Sequence, residues 1–227
     1  MIGIIGAMDL EIVRLKEQMT DKKEEQLSGV HFTKGKLFGK DAVLAVCGIG
    51  KTFAALCAQT LILRYNPEIV INVGVAGTLC DRLSIGDMAI GTAAVCHDMD
   101  TSPLGDPVGL ISGLDMVEIP LNAQMRETFE ECCEEEGIHY VSGVIASGDQ
   151  FIDDGRKKQW IRDTFSAIAC EMEGQAIAQV CYVNRKPCAI LRSISDSADG
   201  TAADYMQFKE LAAEHSSRVL ARFLKIE

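Results

Sequence analysis

Apolar residues along this chain fall mostly in short continuous runs that stop abruptly at glycine or at an acid. Residues 2–6, 69–73, 168–170 and 187–191 have the largely apolar character of strands covered on both faces in a parallel or mixed sheet, and residues 87–95 and 141–147 also read as strands. Between them, residues 10–19, 51–65, 121–136, 156–164, 176–183 and 205–224 change to helical spacing, the last with Phe208, Leu211, Ala212, Val219 and Phe223 inward. Residues 32–37 and 41–46 flank Phe38-Gly39-Lys40 and read as a hairpin. Strands alternating with helices predict a three-layer α/β/α sandwich around a mixed sheet, in one domain spanning residues 1–227. Residues 101–120, with Pro103, Gly105, Pro107, Gly109, Gly113 and Pro120, break this rhythm. So long a segment with so many apolar residues reads as a lid or a subunit contact.

The polar ends of the apolar runs hold the candidate chemistry. In Pro187-Cys188-Ala189-Ile190-Leu191-Arg192-Ser193-Ile194-Ser195-Asp196-Ser197-Ala198-Asp199 a core strand turns polar at its carboxyl end, where ligands bind in open α/β sheets. A buried Arg192–Asp196 salt bridge is the purely structural alternative. Glu171-Met172-Glu173 ends another core strand in two carboxylates, which inside a protein need cations or hydroxyl-rich ligands. Glu11 falls in the first turn of the first helix, where free N–H groups favour an acid in any case. Gly48-Ile49-Gly50-Lys51-Thr52 suggests a P-loop, but Ala45 stands where the first glycine is required and the turn is too short for a triphosphate. Gly74-Val75-Ala76-Gly77 reads as a glycine turn opening space at a strand's end.

Composition narrows the partners. The 227 residues carry a net charge of −11, which argues against nucleic acid. Nine cysteines with no CxxC pair read as reduced thiols; Cys132 and Cys133, in an acidic helix, are the two expected at the surface. Four scattered histidines give no zinc spacing. The first residues have neither the basic start of a signal peptide nor the length of a membrane anchor, so a cytoplasmic protein is expected.

Taken together, Ile4-Ile5-Gly6-Ala7-Met8 with Glu11, Gly48-Ile49-Gly50-Lys51, Asn72-Val73-Gly74-Val75-Ala76-Gly77, Ser147-Gly148-Asp149-Gln150-Phe151-Ile152, Glu171-Met172-Glu173 and Arg192-Ser193-Ile194-Ser195-Asp196 resemble the 5'-methylthioadenosine/S-adenosylhomocysteine nucleosidases, in the same order over almost the whole chain. The resemblance implies a nucleoside phosphorylase-like fold with a partly barrel-like sheet, a homodimer, no metal or organic cofactor, and hydrolysis of adenine from 5'-substituted adenosines. It implies Asp196 as the acid that protonates adenine, Glu11 as the base that activates water, and Arg192 near it. Met172 and Glu173 would hold the ribose, and Gly77, Phe151 and Ile152 the purine. Met8, Ile49, Ser195 and Tyr205 would complete the substrate contacts, with Tyr205 as an aromatic lid. The chain departs from the family at Val75, where a serine is usual, and in Leu104-Gly105-Asp106-Pro107-Val108-Gly109, which replaces an aromatic-rich loop. A purine nucleoside phosphorylase and a non-catalytic nucleoside-binding protein are the alternative expectations.

Overall fold

The computed structural model describes residues 1–196 and 202–226; residues 197–199 of the carboxyl-end stretch lie outside them. The chain runs β1 (Ile2–Gly6), α1 (Asp9–Gln18), β2 (Thr20–Leu27), β3 (Val30–Leu37), β4 (Lys40–Val46), α2 (Lys51–Tyr65), β5 (Ile69–Thr78) and β6 (Met88–Cys96). After a single 3₁₀ turn at Ser102–Leu104 come β7 (Ile119–Pro120), α3 (Ala123–Glu136), β8 (Tyr140–Ser147), α4 (Gly155–Phe165), β9 (Ala167–Glu171), α5 (Gly174–Val183), β10 (Cys188–Asp196) and α6 (Ala202–Ile226).

The strands form one ten-stranded sheet in the order β10-β6-β8-β9-β5-β1-β4-β3-β2, with β7 on β6 and a second pairing of β10 with β5. That second pairing closes β5, β10, β6, β8 and β9 into a barrel, while β1, β4, β3 and β2 continue as an open wing. The sheet is mixed. Parallel pairs join β1 to β4 and β5, β10 to β5, and β8 to β6 and β9. Antiparallel pairs join β10 to β6, β5 to β9, and the hairpin strands β2, β3 and β4.

Helices cover both faces, because the buried strands present apolar side chains in both directions. On one face α2 and α5 bury Ala54, Cys57 and Leu61 with Ile177, Ala178 and Cys181. On the other, α1, α3 and α6 bury Ile12, Leu15, Phe129, Val219 and Phe223, and Phe129 stacks on Phe223 at 4.3 Å between centroids. α4 closes the barrel mouth with Ile161 and Phe165. These are the expected three layers. No described helix is long and apolar enough to cross a membrane.

Several expectations are corrected. β2, Thr-Asp-Lys-Lys-Glu-Glu-Gln-Leu, is an edge strand so solvated that it shows no apolar pattern. Cys132 and Cys133 are both fully buried, since the inner face of α3 rather than its acidic face carries them. Leu211 is 44% exposed, whereas Ala212, Val219 and Phe223 point inward. β5 does not stop for a turn at Gly74-Val75-Ala76-Gly77 but runs through it as buried strand.

Candidate active site

The carboxyl ends of β1, β5, β9 and β10 converge on a cavity of about 260 Å³. Its walls include Met8, Glu11, Ile49, Gly77, Phe151, Ile152, Met172, Glu173, Ser195, Asp196 and Tyr205, which are the predicted site residues apart from Arg192. Ala7, Val75, Ala76, Gln150, Cys170 and Glu171 complete the wall.

Glu11 occupies the third position of α1, where an acid accepts hydrogen bonds from the helix's free N–H groups. Its Oε2 accepts the N–H of Ala7 at 2.7 Å and of Met8 at 3.0 Å, and its Oε1 accepts the N–H of Val75 at 3.2 Å. Burial pushes its carboxyl up from the ordinary range, against the pull of the Arg192 charge and these backbone donors. The bonds hold the carboxylate over β5, and Gly74 makes that possible: a Cβ there would lie 2.5 Å from Glu11 Oε1.

Gly77 does the same for the second acid, since its Cβ would lie 2.6 Å from Asp196 Oδ2. Neither glycine has a positive φ, so it is close approach and not a turn that requires them. A strand advances about 3.3 Å per residue, which sets the two glycines about 10 Å apart along β5. Asp196 is brought over Gly77 by an irregularity in the β10–β5 register: Ile194 pairs with Ala76 and Asp196 with Gly77, so β10 spends one extra residue, Ser195. Such a bulge re-aims the side chains around it. Ser195 Oγ then donates to Asp196 Oδ1 at 2.9 Å, and the buried ammonium of Lys158 on α4 donates to Oδ2 at 3.4 Å.

The sequence left open an Arg192–Asp196 bridge, and the structure pairs both residues elsewhere. Arg192, 1% exposed, donates to Glu171 Oε2 at 2.5 Å and to the backbone and side chain of Asn72. It stands behind the cavity wall and makes no hydrogen bond to Glu11, so its reach to that acid is electrostatic. Glu171 also accepts the Ser147 hydroxyl and the N–H groups of Glu173 and Gly174. Of the two carboxylates around Met172, Glu171 has thus found its cation. Among the described residues Glu173 accepts only the Gly50 N–H, at 2.8 Å, and it lines the cavity. Burial, with the Glu171 charge beside it, pushes the Glu173 carboxyl up to about 8.

The glycine-lined turn before α2 is a brace. Gly50 has φ of 100°, Lys51 N–H donates to Asp149 Oδ1 at 2.7 Å, and the Lys51 ammonium is spent on Asp98 and on Cys96 Sγ. Asp149 N–H returns to Asp98 at 2.8 Å, which fixes the segment carrying Phe151 and Ile152. At the rim, Phe151 and Tyr205 meet edge to face at 5.4 Å and the Tyr205 hydroxyl donates to Met8 Sδ at 3.5 Å. Among the described residues no group of histidine, cysteine and acid has metal-site geometry.

One member of this arrangement escaped the sequence reading, and Arg192 was not foreseen as the cation of Glu171. Lys158 looked like one more charge in Arg156-Lys157-Lys158, although its spacing to Ile161 and Phe165 puts it on the buried face of α4.

A family model described as Phosphorylase superfamily matches residues 1–225. A Staphylococcus haemolyticus protein named 5'-methylthioadenosine/S-adenosylhomocysteine nucleosidase is 37% identical over 228 residues, with 100% of both chains covered. The Neisseria meningitidis enzyme of that name, solved with methylthio-immucillin-A, superposes with a TM-score of 0.95 at 33% identity, covering 100% of this chain and 99% of the other. A futalosine hydrolase of Helicobacter pylori also reaches 0.95, at 35% identity, covering 100% of this chain and 97% of the other.

Proposed function

The chain belongs to the 5'-methylthioadenosine/S-adenosylhomocysteine nucleosidase family within the phosphorylase superfamily, and on that premise we propose that Asp196 and Glu11 act on opposite sides of one N-glycosidic bond. The enzyme is a nucleosidase that releases adenine from 5'-substituted adenosines. Asp196 delivers a proton to a purine ring nitrogen, so that the bonding pair of the breaking C–N bond leaves on a neutral base. The sugar passes through an oxocarbenium-like state, water attacks its anomeric carbon, and Glu11 takes the water's proton. The raised affinity of Glu11 for a proton suits that task. Glu173 and Met172 hold the ribose, Phe151, Ile152 and Gly77 the base, and Met8, Ile49 and Tyr205 the apolar 5' substituent. Arg192 acts from behind the wall by its charge.

The observation that carries this reading is the pair of carboxylates seated over Gly74 and Gly77 of one strand, both facing one cavity. Water is favoured over phosphate as nucleophile because, among the described residues, the wall contains no lysine or arginine to hold an anion. The backbone N–H of Val75 still donates to Glu11 at 3.2 Å, although the valine side chain offers no hydroxyl.

The test is adenine release in phosphate-free buffer from methylthioadenosine, adenosylhomocysteine, 5'-deoxyadenosine and a futalosine-type nucleoside. Release without phosphate, falling about 10²- to 10⁴-fold in Asp196→Asn and in Glu11→Gln, is expected. A requirement for phosphate would make the protein a phosphorylase, and no release from any substrate would leave a binding protein.

The chain is also read as one domain acting as a cytoplasmic homodimer. In support, α2 exposes Phe53 and Leu56 beside Tyr182 and Val183 of α5, and the irregular segment exposes Leu104. Sedimentation at twice the monomer mass checks the dimer.

A further inference from the structure

Lys158 is a lysine only 3% exposed. Lysines are almost never buried to that degree without a specific partner, and this one meets Asp196, the residue read above as the acid. α4 delivers it: Asp154 caps the helix by accepting the N–H of Arg156, and Ile161 and Phe165 bury the same face that carries Lys158. Among the described residues Lys158 stands behind the cavity wall and meets it through Asp196.

We propose that Lys158 is a positioning residue that sets the acidity and orientation of Asp196, making it an acid that lets go of its proton as the base departs. The inference rests on the assignment of Asp196 as proton donor. Burial favours the neutral carboxylic acid, and an ammonium within hydrogen-bonding reach favours the carboxylate. The two act in opposite directions on the same group, and a proton donor needs both: enough affinity to be protonated when the nucleoside binds, and a stabilised anion once the proton has gone. When the proton moves from Asp196 to the ring nitrogen, the negative charge left on Oδ2 appears 3.4 Å from the Lys158 ammonium. Ser195 at Oδ1 fixes the plane of the carboxyl. The cycle balances, because the proton given to the base is matched by the one Glu11 takes from water, and solvent returns it to Asp196 before the next turnover.

Among the described residues, Cys170 on β9 and Tyr205 on α6 also feel Asp196. Burial pushes the Cys170 thiol up to about 12 and raises the Tyr205 hydroxyl, so both stay neutral around neutral pH. Among the described residues Lys158 is the cation paired with Asp196.

The experiment compares the pH dependence of kcat/KM in the full-length enzyme, in Lys158→Met and in Lys158→Arg. The alkaline limb reports the acid that must be protonated in the free enzyme. In Lys158→Met that limb is expected to move to higher pH by about one to three units, the range an opposite charge at this distance controls. Its plateau kcat should fall at least tenfold, and Lys158→Arg should restore both. A folded Lys158→Met enzyme with an unmoved limb overturns the proposal, and leaves Lys158 as a purely structural charge. Should Lys158→Met fail to fold, NMR of the wild-type enzyme decides: the Asp196 carboxyl carbon and the Lys158 ammonium nitrogen should shift with one common midpoint, and independent midpoints overturn it. Full turnover in Asp196→Asn would instead remove the proton-donor assignment itself, a different failure from an unmoved limb.

Discussion

Two buried ion pairs stand within reach of the same cavity, Arg192–Glu171 and Lys158–Asp196, and they are built differently. The first is saturated: Glu171 takes a hydroxyl, two backbone N–H groups and the guanidinium, and Arg192 also donates to Asn72 and to the Leu191 carbonyl. In the second, Lys158 meets Asp196 Oδ2 at 3.4 Å and the Ser195 hydroxyl meets Oδ1, with Asp196 in the cavity wall. A saturated carboxylate has no capacity left for a substrate, so Glu171 builds the wall. Asp196, which lines the cavity beside Lys158, is the acid read above as the proton donor. The same residue types, an acid and a base buried together, thus read as scaffold in one place and as chemistry in the other.

The strongest way to break this comparison is Arg192→Met. It leaves the Glu171 charge buried without its cation, and a loss of about 3–5 kcal/mol of unfolding free energy is expected in urea titration, out of a typical total of about 5–15. A loss below about 1 kcal/mol would erase the distinction between scaffold and chemistry. Next come Gly74→Ala and Gly77→Ala. The new methyl groups would press on Glu11 and Asp196 at 2.5 and 2.6 Å, and displacing a catalytic group by about 1 Å costs on the order of 10²-fold in rate. Each should depress kcat while the circular dichroism stays that of the parent; normal kcat in either would show that the acid above it tolerates movement.

The smallest effect concerns Glu173, the carboxylate with one partner among the described residues. Its folded-state affinity for a proton is raised from 4.5 to about 8, so the folded protein binds more protons than the unfolded chain in that window. Its contribution to stability is therefore fully present below pH 4.5 and is lost as pH rises through about 8. Glu11 works in the same direction. Glu173→Gln should have a higher Tm than the parent at pH 8 and a smaller fall in Tm between pH 5 and 8. Equal pH slopes for the two proteins would contradict the raised affinity.

What the sequence displays well is what a single run of residues decides. Continuous apolar runs gave β1, β5, β8, β9 and β10, and their polar exits pointed to Glu11, Glu173 and Asp196 as candidates. What it displays poorly depends on who stands opposite. The polar letters of β2 fit an edge strand only once β3 is beside it. Arg192 had Asp196 as its nearest acid in sequence, yet the fold offered Glu171. The glycines of β5 looked like turn residues because the carboxylates that exclude a side chain there come from remote segments. Lys158 was recoverable in part, from its place on the apolar face of α4.

The extra residue at Ser195 also limits how this gene can vary. Side chains along a strand alternate like odd and even numbers, and the bulge resets that parity just before the last residue of β10. One codon gained or lost between Cys188 and Asp196 would turn the acid toward the opposite side of the barrel wall, however faithfully every letter was kept. The irregular segment around Leu104, on the surface, has no such parity to keep. Length, more than spelling, is what β10 must conserve.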